Sequence, residues 1–209
     1  MDTGRFITFE GIDGCGKTTQ LRMLGQWLRE HGTDVIETVE PGGTGIGRQI
    51  RKILLDPASA GIQPRAELLL YFASRAQNVD EVIRPALQSG RTVLCDRFTD
   101  STIVYQGCGR GLDVEVIRAL DRIACRGLKP DITILIDIDP ATSLVRAKRR
   151  NERTGSSESR IDEESAAFHE RVRQGYLALA KAEPDRILAI DGAADIGDVG
   201  RRIREALRV

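Results

Sequence analysis

The chain has 209 residues, enough for one well-filled core and too few for two full-sized domains, so a single domain over 1–209 is expected. Its 31 basic and 31 acidic residues cancel, which leaves no overall field to draw nucleic acid or an acidic membrane surface and points to a small anion as partner. No apolar run approaches the roughly 20 residues that span a bilayer, and Cys15, Cys95, Cys108 and Cys125 are widely spaced, without a C-x-x-C pair or a secretory-type leader; a soluble, cytoplasmic protein with neither zinc site nor disulfide framework is predicted.

In chain order, Phe6 to Phe9 reads as a strand that runs into Gly11-Ile12-Asp13-Gly14-Cys15-Gly16-Lys17-Thr18, which fits the phosphate-cradling pattern G-x-x-x-x-G-K-[ST]. The glycines let the backbone wrap its N–H groups around phosphate oxygens, and the helix that follows adds its positive dipole end. Leu21, Leu24 and Leu28 at helical spacing predict that helix over Thr18 to Arg29. Lys17 would reach the terminal phosphates of a bound triphosphate and the Thr18 hydroxyl would hold magnesium. After the turn His31-Gly32-Thr33, Val35 to Val39 reads as a strand leading into Glu40-Pro41-Gly42-Gly43-Thr44. Thr44 is a plausible N-cap for a helix to about Leu55, on which Arg48 and Arg51 share a face; taken alone, these arginines read first as a solvated helix surface.

Pro64 opens a long helix to about Gln88 with a bend expected near Pro85, and on it Phe72 and Arg75 lie three apart, as a ligand wall or as core. Thr92 to Cys95 is a buried-type strand that ends in Asp96-Arg97-Phe98, at the carboxyl edge where ligands bind in open α/β sheets; Asp96 could meet a magnesium ion there, or simply pair with Arg97. Asp100 to Gly107 is an otherwise helical stretch rich in hydrogen-bonding side chains. A helix over Asp113 to Arg126 precedes the apolar strand Ile132 to Ile136, whose terminal Asp137 rivals Asp96 as metal-site carboxylate. From Pro140 a helix carries Arg146, Arg149, Arg150 and Arg153 towards the small, polar run Thr154 to Ser159 and Arg160, which together suggest a lid near 146–162. A helix from Asp162 to Lys181, a strand from Arg186 to Ile190 and a helix from Asp195 to Leu207 complete the chain. Five strands alternating with helices predict a three-layer α/β fold with a mostly parallel sheet.

A phosphate loop serves switches, motors and kinases alike. The chain lacks an N-K-x-D-type base-reading motif, and Asp162-Glu163-Glu164 begins a helix rather than ending a strand. It has a second basic set outside the loop, Arg48, Arg51, Arg75 and Arg97, which implies a second phosphate site. A kinase whose acceptor is itself a phosphate needs this pair of sites, and since such an acceptor is already an anionic nucleophile it needs no general base.

Phe9-Glu10-Gly11, Glu40-Pro41-Gly42-Gly43-Thr44, Asp96-Arg97-Phe98 and Asp100-Ser101 through Tyr105-Gln106-Gly107 occur in family order, and the chain resembles the bacterial thymidylate kinases over nearly its whole length. The resemblance implies a P-loop NTPase fold with a five-stranded parallel sheet flanked by helices, a homodimer, and transfer of the γ-phosphate of ATP to dTMP with Mg2+. It implies that Gly11, Ile12, Asp13, Gly14, Cys15, Gly16, Lys17, Thr18 and Thr19 hold ATP and that Thr18 and Asp96 hold the metal. Phe72 would stack on thymine, Arg75 would bond its carbonyl edge, and Thr102 and Gln106 would close the polar side. Tyr105 would sit under the deoxyribose, Asp13 would accept from the 3'-hydroxyl, and Arg51 and Arg97 would hold the acceptor phosphate. Gly14 stands where one branch of the family carries a catalytic arginine, so Lys17 and Arg97 are joined by Arg149 and Arg153 of the lid as the expected catalytic cations. Val39 stands where many relatives have an arginine, which leaves Arg48 as a candidate to compensate. A kinase for another nucleoside monophosphate and a non-catalytic ATP-binding switch are the rival readings.

Overall fold

A computed structural model of the chain describes residues 4–154 and 160–209. All five expected strands form: β1 (Phe6–Glu10), β2 (Val35–Val39), β3 (Thr92–Asp96), β4 (Ile132–Asp137) and β5 (Ile187–Asp191). They make one parallel sheet in the order β2-β3-β1-β4-β5. The three strands with continuous apolar runs occupy its middle and are buried on both faces, whereas β2 and β5, at the edges, are only partly buried. Phe9 is in register with Asp96, and Glu10 with Leu135, so the carboxyl ends of β1, β3 and β4 finish side by side. The chain turns to opposite sides of the sheet from β1, and the phosphate loop leaves β1 at this switch point.

Helices α1 (Lys17–Glu30), α2 (Gly45–Leu55), α3 (Pro64–Asn78), α4 (Arg84–Gln88), α5 (Thr99–Thr102), α6 (Val114–Cys125), α7 (Pro140–Thr154), α8 (Ala166–Ala182) and α9 (Ile196–Leu207) complete the described chain. Leu21, Leu24 and Leu28 of α1 join Ile7 and Phe9 of β1 in one core, while Phe6 shares the other with Leu68 and Phe72 of α3 and Ile117 of α6. The alternation of Phe6 against Ile7 across β1 separates these two layers. The expected cap at Thr44 forms: its Oγ1 accepts from the Gly47 N–H at 2.9 Å.

Three local details depart from expectation. The bend sought near Pro85 is a π-helical turn over Val79–Ile83, placed just before it. Proline cannot donate the α-type bond back to residue 81, and a widened turn absorbs the mismatch. A second π-helical stretch, Ile103–Gly109, continues α5 and carries Tyr105 and Gln106; the Arg110 N–H reaches the Tyr105 carbonyl at 2.9 Å. The helix predicted from Asp162 starts at Ala166, because Ser165 caps it by accepting from the Phe168 N–H. The run Gly155 to Ser159, expected as the tip of the lid, lies outside the described residues.

Candidate active site

The phosphate loop joins β1 to α1 and is packed from outside by the first turns of α7. Gly14 has φ +84°, and a Cβ there would fall 2.2 Å from the Ser143 carbonyl oxygen and 2.9 Å from the Ala147 nitrogen. No side chain fits, so a cation cannot be supplied from position 14 in this fold. The Ser143 hydroxyl donates to the Asp13 carbonyl. Ile12 and Cys15 point into the core, which leaves only their backbone for a ligand. Lys17 is buried, its ammonium donating to the carbonyls of Gly11 at 3.0 Å and Ile12 at 2.9 Å, so its charge is held at the loop. Gly14, Cys15, Gly16 and Thr19 border a cavity of about 430 Å³ whose far wall is Arg146 and residues 192–196, the loop after β5. That loop carries no local signature in the sequence.

At the end of β3, Asp96 and Arg97 turn apart. Arg97 has φ 71°, a left-handed conformation uncommon for a residue with a Cβ, and it swings the guanidinium across the end of the sheet. It donates to Asp13 at 2.8 Å, Ser101 at 2.9 Å, Tyr105 at 3.1 Å and Tyr176 at 3.2 Å. Burial would raise the Asp13 carboxyl, but Arg97 and Lys17 outweigh it and hold the group well below the usual carboxylate range. The Tyr105 hydroxyl donates to the other Asp13 oxygen at 2.9 Å, and burial raises that phenol. Asp96 instead accepts from the Thr18 hydroxyl at 2.5 Å. A hydroxyl and a carboxylate on one spot are hard oxygen donors of the kind Mg2+ takes. Asp137, the rival carboxylate, is occupied by Arg173 of α8 through bonds of 2.8 and 2.9 Å. Among the described residues no group of three or more His, Cys, Asp and Glu could hold a metal alone.

A cavity of about 310 Å³ lies between the phosphate loop, α2, α3 and the π-helical stretch. Asp13, Thr18, Arg51, Arg75, Arg97, Thr102, Tyr105 and Gln106, all named from the sequence, line it together. Arg51 donates to the Pro41 carbonyl at 2.9 Å. Arg75, 1% exposed, is fixed by Glu40 at 2.5 Å, the Phe98 carbonyl at 3.0 Å and Thr102 at 2.9 Å. Its Nη1 is buried without a hydrogen-bond partner.

Two expectations are corrected by helix rotation. Phe72 is not on the cavity wall: it is buried in the core with Leu68 and Phe98, under the Arg75 guanidinium. Its neighbour Tyr71 lines the cavity, four residues before Arg75 and hence on the same helical face. Burial pushes the Tyr71 phenol up to about 12. On α7, Arg149, Arg150 and Arg153 are all exposed, but of the three Arg150 lines the 310 Å³ cavity and interacts with Asp162 at 3.3 Å, while Arg149 and Arg153 line none of the cavities described. Ser143, Ala147 and Arg150 follow one stripe at i, i+4 and i+7, so the packing of the first two on the phosphate loop dictates which arginine faces inward. Arg48 is exposed; Arg22 of α1, not Arg48, borders the cavity that Val39 lines. Glu40 and Arg22 border the site without a role assigned from the sequence, and Arg146, expected on the lid, borders the phosphate-loop cavity.

The thymidylate kinase family model matches residues 9–203. A thymidylate kinase of Geobacter sp. strain M21 is 54% identical over 206 residues, covering 98% of this chain and 92% of that protein. One from Desulfosudis oleivorans is 51% identical over 204 residues, covering 97% and 95%. The crystal structure of thymidylate kinase from Ehrlichia chaffeensis superposes with a TM-score of 0.79 at 35% identity, over 99% of both chains.

Proposed function

Because the chain belongs to the thymidylate kinase family, we propose that it transfers the γ-phosphoryl group of ATP to dTMP, giving dTDP and ADP. One observation carries the reading: Asp13 and Thr18 of the donor loop line the same cavity as Arg51, Arg75 and Arg97 of the acceptor wall. Two anion sites in one cavity are what in-line transfer between phosphates requires. A phosphate oxygen of dTMP forms the new bond to the γ-phosphorus as the bond to the bridging β–γ oxygen breaks, and no proton has to be removed. Neither histidine lines the cavity, in keeping with this.

In this reading the loop N–H groups and Lys17 hold the donor phosphates, and the cavity between the loop, Arg146 and residues 192–196 receives adenine. Arg97 and Arg51 hold the acceptor phosphate. Arg75 donates to the thymine carbonyl, Tyr71 stacks on the ring, and Tyr105 with Asp13 meets the sugar. Thr18 and Asp96 would hold Mg2+, which would neutralise charge on the transferring phosphates. Arg150 is the described lid residue best placed to reach them, in place of Arg149 and Arg153. The whole chain works as one kinase domain with its lid near 146–162.

We further propose that the enzyme is a cytoplasmic homodimer. Ile46 and Ile53 on α2, Leu69 on α3, and Val116 and Ile123 on α6 are large apolar side chains about half exposed or more. These helices pack in series, α2 on α3 and α3 on α6, so one flank of the molecule carries this apolar surface. All four cysteines are free thiols, and among the described residues no helix is long and apolar enough to cross a membrane.

The test is ADP release from ATP and Mg2+ with dTMP, dUMP, UMP, dCMP, CMP, AMP, GMP or thymidine as acceptor, with Lys17→Ala as the variant that abolishes transfer. Strong preference for dTMP is expected. Preference for another monophosphate would overturn the pocket assignment, and tight ATP binding without any turnover would favour a switch.

A further inference from the structure

Glu67 lies on α3 one turn before Tyr71 and two before Arg75, on the same face. It is 1% exposed, yet its carboxylate takes four donors: Arg160 at 2.6 Å, both Nε and Nη2 of Arg110 at 3.2 Å, and the side-chain amide of Gln106 at 2.9 Å. Burial alone would raise this carboxyl, but the bonds from Gln106 and Arg110 win and it titrates below its ordinary range, so it is an anion. An ionised carboxylate only accepts hydrogen bonds. The NH2 end of Gln106 must therefore face Glu67, and its carbonyl oxygen is left as the polar group free for the cavity that Gln106 lines. Arg75 lines the same cavity and holds a donor without a partner, the buried Nη1.

We propose that Glu67 is a positioning residue for base selection: by fixing the Gln106 amide it makes the wall read one acceptor and one donor, the 4-carbonyl and N3–H of thymine or uracil. This rests on the dTMP reading above. Cytosine presents the reverse, an amino group against Arg75 and a bare N3 against the Gln106 oxygen, and leaves buried groups unpaired on both sides. If Glu67 is made neutral, the amide can turn and offer its NH2 group to N3 of cytosine. Arg110 and Arg160 keep the carboxylate charged and in place, and their hydrogen bonds go to Glu67, Glu164 and the Leu54 carbonyl, not to the amide.

The experiment measures kcat/KM for dTMP, dUMP and dCMP with the full chain and with Glu67→Gln. The expected result is a fall in the dTMP-to-dCMP ratio by about tenfold or more, with the dTMP-to-dUMP ratio unchanged because those bases share the same edge. Adding Glu67→Gln to Gln106→Met should leave the ratio of Gln106→Met alone, since Glu67 acts through the amide. If Glu67→Gln does not fold, Glu67→Asp, which keeps the charge but withdraws it from the amide, is read for the same ratio. A merely structural Glu67 would lower turnover of all three acceptors alike and leave both ratios as in the parent, which overturns the proposal. Failure of the parent chain to phosphorylate dTMP would instead overturn the functional reading.

Discussion

Tyr71 and Phe72 are adjacent aromatics with opposite assignments, and separating them tests the site most directly. Phe72 is 4% exposed and belongs to one core with Leu68 and Phe98, and the centre of the Arg75 guanidinium lies 5.0 Å from its ring centroid. Truncating such a core ring to alanine costs about 3–5 kcal/mol. In a chain of this length each kcal/mol moves Tm by about 2–4 °C, so Phe72→Ala should melt roughly 6–20 °C lower. Tyr71 borders the cavity, and loss of an aromatic stacking partner is worth about 1–3 kcal/mol per base. At tenfold per 1.4 kcal/mol, Tyr71→Ala should weaken dTMP binding by about 5- to 150-fold. Its Tm should move much less than that of Phe72→Ala. Titration calorimetry with dTMP and thermal unfolding of each variant give the two readouts, and Phe72→Leu provides a milder cut if the alanine variant does not fold. A Phe72 variant with parental Tm and weakened dTMP binding, alongside Tyr71→Ala with parental affinity, would refute the assignment.

Asp13→Asn should lower stability at neutral pH, and the sign of its pH dependence follows from the depressed carboxyl. Its contribution is complete above the unfolded value near 3.8 and disappears as pH falls through the lower folded value, so the Tm gap between parent and variant should be constant above about pH 5 and close only in stronger acid; a gap that widens on acidification would reverse the reading. Asp96→Asn removes a charged oxygen beside Thr18 and should shift half-saturation by Mg2+ upward about tenfold or more, with dTMP affinity unchanged; an unaltered Mg2+ profile would remove Asp96 from the metal site. Tyr105→Ala should chiefly relax the preference of dTMP over its ribose counterpart, measured as a ratio of kcat/KM values, and an unchanged ratio would clear Tyr105 of the sugar role. Leu69→Lys places a charge on the exposed flank of α3 and should yield a monomer by light scattering; a parental particle mass would put the dimer surface elsewhere.

What the sequence determined by itself is what local physics specifies. The glycine-rich loop between a strand and a helix, the Thr44 cap, and the five apolar runs follow from backbone sterics, end-group satisfaction and periodicity within about ten residues, and all five strands formed where expected. The candidate cations and hydrogen-bonding side chains were legible as types, and most of them do meet in one cavity. Which residue of a helix turns inward was decided by tertiary packing. Neighbours on a helix differ by about 100°, so the packing of α3 on α6 and the sheet exchanged Phe72 for Tyr71. The contact of Ser143 and Ala147 with a glycine too crowded for any side chain selected Arg150 over Arg149 and Arg153 in the same way. The most distant information is in Glu67, whose partners come from residues 106, 110 and 160. A buried carboxylate is stable only with its donors assembled around it, and no window of sequence contains them all.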